Sequence, residues 1–294
     1  MNLGIAYALS AYLLWGLLPI YLHLLAPVPT PEILAHRIVW SLVTVVILLV
    51  ALRRLAWIST AFAAPATLWR YVLTAALISG NWLIYIWSIN AGHVVDSSLG
   101  YFINPLVNVL LGWLLLHEPL RFGQKLPIAL AALGVAWLTW QAGSPPWIGL
   151  TLALSFSLYG LLRKTAALGA LEGFSVEAAV LTPLALAYLL WMARTGGLGF
   201  SSASTQLRWL LVAAGPVTAI PLLLFAAGAR RISFSLLGIL QYLAPTLQWL
   251  SGIFVFREPF EASKAIGFGF IWLALLLYAI EGVWFGWQRQ RWTT

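Results

Sequence analysis

The 294-residue chain contains no cysteine. Disulfides, thiol catalysis and Cys-based metal sites are therefore excluded. Its four histidines, His23, His36, His93 and His117, form no metal-ligand spacing. Charge is the next scarcity, with 8% of residues charged against about 25% in an average soluble domain. Acidic residues are fewest of all, eight Asp and Glu against sixteen Lys and Arg. No H-E-x-x-H occurs, and no two carboxylates share one depth in the apolar runs. A membrane-embedded enzyme would have neither nucleophile nor metal triad here, so no catalytic residue and no cofactor are expected. The basic residues come one or two at a time between apolar runs, without a cluster interleaved with aromatics, which argues against nucleic acid as a partner.

What is abundant is apolar. Hydrophobic residues make up 62% of the chain, and 17 Trp and 10 Tyr suit many membrane interfaces, where amphipathic rings prefer the headgroup level. A hydrocarbon core of about 30 Å needs about 20 apolar residues in a helix. The pattern predicts an all-α integral membrane protein of about ten such helices, near 3–26, 32–52, 71–92, 97–116, 124–141, 146–163, 174–193, 207–229, 234–256 and 262–284. The N-terminal run lacks a basic leader and a small-residue cleavage site, so it is expected to stay as the first helix. Short connections, such as 92–96 and 142–145, make consecutive helices antiparallel neighbours.

The sequence repeats itself. FINPLVNVLLGWLLLHEPL (102–120) aligns without a gap on YLAPTLQWLSGIFVFREPF (242–260). Pro105, Leu110, Gly112, Glu118 and Pro119 fall on Pro245, Leu250, Gly252, Glu258 and Pro259, an offset of 140 (245 − 105) throughout. Leu14-Trp15-Gly16-Leu17-Leu18 is answered by Leu158-Tyr159-Gly160-Leu161-Leu162, whereas the second spans of the two halves show no defensible match. The chain thus divides into a first five-helix repeat (1–142), a second (146–288) and a short tail (289–294). One side of the membrane collects eleven Lys and Arg, among them Arg53, Arg54, Arg163, Lys164, Arg230 and Arg231, and the other collects four. The positive-inside rule puts both termini in the cytoplasm. Five spans per half is an odd number, so the halves have opposite orientation, an inverted-topology repeat around a central cavity.

Polar side chains in lipid must face protein or water. They recur at helical spacing as Ser97, Tyr101, Asn104 and Asn108 in the fourth span, Asn81, Tyr85 and Ser88 in the third, and Gln241 and Gln248 in the ninth, with Tyr242 and Pro245 beside them. Shorter stripes carry Tyr12, Trp15 and Pro19 (first span), Ser155 and Tyr159 (sixth), and Thr218, Pro221 and Phe225 (eighth). These are interhelical bonds or a substrate cavity. The stripes fall in pairs equivalent under the repeat, which favours the cavity. Pro105 and Pro245 each remove a backbone hydrogen bond, which either shapes the bundle or marks the cavity wall. Glu118-Pro119 and Glu258-Pro259 end their spans, and each carboxylate is expected to accept from the free N–H groups opening the next helix. Arg37, about 9 Å into its span from Pro31, is the one charge clearly inside a span. It either anchors an anionic or carbonyl group of a substrate or reaches the headgroups or Glu32. No carboxylate lies mid-span, so any proton coupling would use His36, Asp96 or Glu32.

Seven segments carry a resemblance: AYLLWGLLPIY (11–21), EILAHRIVWS (32–41), NWLIYIWSIN (81–90), SLGYFINPLVNVLLG (98–112), LYGLLRK (158–164), GPVTAIPLLLFAAGARR (215–231) and QYLAPTLQ (241–248). Together they resemble the RarD branch of the drug/metabolite transporter superfamily, with EamA-like halves, over nearly the whole chain. The resemblance implies a ten-span inverted-repeat permease of the bacterial inner membrane. It also implies a cavity built from the first, third, fourth, sixth, eighth and ninth spans. RarD-type proteins are commonly labelled chloramphenicol-sensitivity or chloramphenicol-resistance permeases, and related branches export amino acids and other small metabolites.

The expected function is a secondary transporter, an exporter of small amphipathic or aromatic molecules, working as a monomer or homodimer in membrane lipid. Trp15, Tyr12, Tyr85, Tyr101, Tyr159 and Tyr242 would supply flat faces, and Asn81, Asn104 and Gln241 orienting hydrogen bonds. The alternative is a passive channel or lipid scramblase.

Overall fold

The computed structural model describes residues 2–58, 65–90, 94–141, 147–197, 199–255, 257 and 262–291. The chain order is α1 (Leu3–Leu24), α2 (Thr30–Ala51), α3 (Pro65–Asn90), α4 (Val94–Leu115), α5 (Phe122–Gln141), α6 (Trp147–Lys164) and α7 (Ala170–Arg194), then α8 (Gly199–Ser202), α9 (Thr205–Ala229), α10 (Phe234–Gln241), α11 (Leu243–Phe254) and α12 (Ala262–Arg291). No strand occurs among the described residues. By length and composition, six helices among them can cross a membrane: α1, α2, α5, α7, α9 and the 265–282 part of α12.

Local signals start these helices. Asn2 Oδ1 accepts from Gly4 N at 2.9 Å to open α1, and the Ser204 and Ser233 hydroxyls do the same for α9 and α10. Pro31 sits in the first turn of α2, where its missing N–H costs nothing. The two repeat-related prolines behave differently. Pro105 lies within a continuous α4, whereas Pro245 is the third residue of α11, behind a break at Tyr242. Pro245 has no N–H for the Gln241 carbonyl, and its ring crowds that carbonyl, so the run 234–254 parts into two helices.

Large apolar side chains cover the outside, including Leu184 (72% exposed) and Trp209 (68%). In water such a surface would aggregate; here it is the face turned to lipid. Helix pairs in close contact are α1 with α9 and α11, α2 with α7 and α9, α3 with α6 and α7, α4 with α6 and α10, and α5 with α12. Small residues allow the closest crossings. A Cβ on Gly238 of α10 would lie 2.7 Å from the Pro105 carbonyl oxygen of α4, and one on Gly134 of α5 would lie 2.8 Å from the Gly267 oxygen of α12.

Candidate functional site

A cavity opens between these helices, with an empty volume of about 820 Å³ including its mouth. Eight of the ten residues expected to bind a solute line it: Tyr12 and Trp15 from α1, Arg37 from α2, Asn81 and Tyr85 from α3, Tyr101 and Asn104 from α4, and Gln241 from α10. Phe156 of α6, Thr218 and Leu222 of α9, and Gln248 of α11 add to the wall. Stripe residues from five of the six expected spans line this cavity, whereas the sixth span contributes Leu152 and Phe156 instead of Ser155 and Tyr159, and α2 joins through Arg37.

Aromatic rings cluster at the wall and behind it. Trp15 meets Phe156 edge-on at 5.7 Å and Phe225 at 5.6 Å, and Phe156 meets Phe225 at 5.3 Å. Tyr85 and Tyr101 meet edge-on at 5.6 Å. The amides are largely committed between helices. Asn81 Nδ2 donates to the Leu152 carbonyl and Ser155 Oγ, both at 2.9 Å. Asn104 donates to the Ala153 carbonyl and accepts from Ser157. Asn108 donates to Gln241 Oε1 at 3.0 Å, and Gln248 donates to the Trp15 carbonyl at 3.1 Å. These stripes hold the bundle together as well as lining its cavity.

Arg37 is different. Its Nε donates to Thr218 Oγ1 at 2.9 Å, and its guanidinium lies 4.9 Å from the Trp82 ring centroid. The residue is 8% exposed, and among the described residues no carboxylate lies within ion-pairing distance of it. Of the alternatives open for Arg37, pairing with Glu32 does not form. Glu32 instead accepts from the Gly199 and Phe200 N–H groups at 2.9 and 2.8 Å, with His36 Nε2 3.8 Å away. Neither Glu32 nor His36 lines the cavity.

Two expected cavity residues lie elsewhere. Tyr159 is fully buried, and its hydroxyl donates to Glu177 at 3.3 Å. Tyr242 packs among Phe102, Ile103 and Phe268, its hydroxyl buried without a partner among the described residues. The side chain of Asp96, and Glu258 and Pro259 entirely, lie outside the described residues. Pro119 follows Glu118 in the α4–α5 connection.

Two sequence expectations are corrected. Glu118 does cap a helix, but not the next one. It accepts from Phe234 N (2.6 Å), Ser235 N (3.0 Å) and Ser235 Oγ (3.1 Å), at the start of α10 more than a hundred residues on, with Lys164 Nζ at 3.6 Å. The α5 start is served by Gln124, whose Oε1 accepts from Arg121 N. The second correction concerns buried charge. Glu177 is a fully buried carboxylate in α7, 3.6 Å from Arg163 Nε and bonded to Thr74 Oγ1 at 2.6 Å. Arg163, read from sequence as a flanking topology residue, is 1% exposed. The missed signal is register: Glu177 follows Arg37, and Glu172 follows Glu32, by the same 140 residues as the EP motifs (177 − 37; 172 − 32). Here the two halves match in the placement of charge.

A many-helix bundle with a lipid-facing apolar surface and an internal cavity lined by aromatic rings and amides is the architecture of a multi-pass membrane protein with room for a small solute. A family model described as the EamA-like transporter family matches residues 2–140. The chain is 45% identical over 288 residues to an uncharacterized transporter of Vibrio cholerae, covering 98% of this chain and 95% of that protein. It is 45% identical over 274 residues to protein RarD of Streptomyces exfoliatus, covering 93% and 87%. A solved crystal structure at 19% identity shares the fold, with a TM-score of 0.70 over 93% of this chain and 96% of that one. The chain belongs to the EamA-like transporters, among the RarD-type permeases, and is a multi-pass protein of the bacterial inner membrane rather than an enzyme.

Proposed function

We propose that the chain is a secondary transporter that exports small amphipathic or aromatic molecules by alternating access. Two five-helix halves of opposite orientation, 1–142 and 146–288, would rock about the cavity, with both termini cytoplasmic. In this reading α1 to α7, α9, the joined α10–α11 and α12 are the ten spans. The packing pairs support it, because exchanging spans five apart maps α1·α9 onto α6·α3, α2·α9 onto α7·α3, and α1·α11 onto α6·α4. The observation that carries the proposal is the cavity wall, to which both halves contribute aromatic faces and amides.

Tyr85, Tyr101 and Trp15 would grip a flat solute, and Arg37, Asn81 and Gln241 would orient it. His36, Glu32 and Asp96 stay the proposed groups for a coupling proton, acting at a distance from the cavity in the case of His36 and Glu32. Trp15 and Phe156 on the wall, packed on each other and on Phe225, interrupt its polar groups with apolar rings, which favours a carrier over a passive channel or scramblase that needs a continuous polar path. The test is counterflow in proteoliposomes loaded with unlabelled phenylalanine, tryptophan or chloramphenicol and given trace label outside. Transient accumulation above equilibrium that is lost in Tyr101→Ala is the expected result. Label that equilibrates without overshoot for every solute would point to a channel instead.

Orientation has its own test, made simple by the absence of cysteine. Ala167→Cys, between α6 and α7, should react with an impermeant maleimide only after cell lysis, whereas Thr195→Cys, after α7, should react in intact spheroplasts. The reverse pattern would invert the topology.

A further inference from the structure

The chain places two arginines inside the bundle and treats them differently. Arg163 is met by Glu177 at 3.6 Å. Arg37 is held by Thr218 and stacked on Trp82 on the cavity wall, with no carboxylate among the described residues within ion-pairing distance. The five carboxylates whose side chains are described are all engaged elsewhere. Glu32 binds the start of α8, Glu118 the start of α10, Glu172 Arg54 at 2.7 Å, Glu177 Arg163, and Glu281 Arg121 at 2.7 Å.

Resting on the transporter reading, we propose that the cavity selects a small organic monoanion, a carboxylate or sulfonate on an aromatic or apolar body, with Arg37 as its counter-ion. A buried cation without a partner is costly at membrane depth, and an anion removes that cost where a neutral carbonyl removes only part of it. An anion adds Coulomb attraction to the charge-assisted hydrogen bonds that any acceptor would receive from the guanidinium, and the guanidinium fork suits a two-oxygen anion. Its orientation is set in advance by the Nε bond to Thr218 and the Trp82 face, so little freedom is lost on binding. The same wall disfavours an amine. It carries a positive charge, and none of its residues is acidic. A zwitterion would therefore satisfy its carboxylate and leave its ammonium poorly met. Trp15, Trp82 and Phe156 supply the surface for the apolar body.

The experiment compares four solutes of one shape on the purified full chain in detergent. Radiolabelled 3-phenylpropionate at neutral pH is the probe, competed by itself, by phenylalanine, by 3-phenylpropanamide and by 3-phenylpropylamine. The anion should compete best and the amine worst. Arg37→Gln should weaken probe binding by about ten- to a hundredfold, and Arg37→Lys by less. Thr218→Val, which frees the guanidinium without removing it, should weaken it by a few fold. Equal competition by the anion and the neutral amide, unaltered binding in Arg37→Gln, or no binding of any of the four would overturn the inference. The transporter reading is tested separately by counterflow of 2-phenylethanesulfonate, which stays ionised and does not leak through lipid. Specific binding without counterflow would leave the anion site standing and sink the carrier.

Discussion

Arg37 and Glu177 are opposite charges in matching places. Each lies seven residues after the first residue of its helix (37 − 30; 177 − 170), and each is bonded to a threonine of a neighbouring helix, Thr218 at 2.9 Å and Thr74 at 2.6 Å. Only Glu177 has a counter-ion among the described residues, Arg163. One member of the pair is thus closed off in the bundle, and the other faces the cavity.

This difference predicts different mutant behaviour. Arg163→Met alone strands a buried carboxylate and should destabilise the protein by about 3–5 kcal/mol. Arg163→Met combined with Glu177→Gln should recover much of that loss, as measured by thermal unfolding in detergent. Arg37→Gln, which removes an unpaired charge, should cost far less stability than Arg163→Met.

Gly238 is set by close approach. Gly238→Ala would press a methyl against the Pro105 carbonyl and Asn108 Cβ, 2.7 and 2.8 Å away, and should cost about 1–3 kcal/mol. Gly80→Ala, with nothing within 4 Å of the new carbon, should be neutral or stabilising by up to about 1 kcal/mol through helix propensity. Paired unfolding curves decide it, and equal effects at the two sites would refute the crossing.

The Glu118 cap makes a local prediction. Glu118→Ala frees the N–H groups of Phe234 and Ser235 and should cost about 1–2 kcal/mol. Hydrogen exchange should rise at the start of α10 and not at the start of α5. Faster exchange at Phe122 or Gly123 instead would restore the nearest-helix assignment.

Tyr242 separates packing from binding. Its hydroxyl is buried without a partner among the described residues, so Tyr242→Phe should leave stability unchanged or raise it by about 1 kcal/mol. Probe binding should be unaffected, because the ring stands off the cavity. Tyr101→Ala should weaken that binding several-fold, by about 0.5–1.5 kcal/mol for one aromatic face.

Much of the architecture is legible in the residues themselves. Long apolar runs are forced into helices because hydrocarbon offers no partner for backbone N–H and C=O groups. The helical spacing of Tyr85, Tyr101 and Asn104 identifies a face that lipid would not tolerate, and the structure gathers those residues on one wall. Tyr242 misleads because a stripe on a helix also contains residues that pack against neighbours, and spacing does not tell a cavity from a contact.

Membrane class, helical content and the polar faces are properties of single segments against a lipid solvent, so the sequence by itself determines them. Which charge meets which depends on contacts between residues more than a hundred positions apart, as with Glu118 and Phe234 or Arg37 and Thr218. The break before Pro245 and the continuity at Pro105 are likewise not legible in the prolines themselves, since both remove the same hydrogen bond and only one parts its helix. Those pairings turn one arginine into a closed ion pair and leave the other facing the cavity, and the tertiary structure alone decided them.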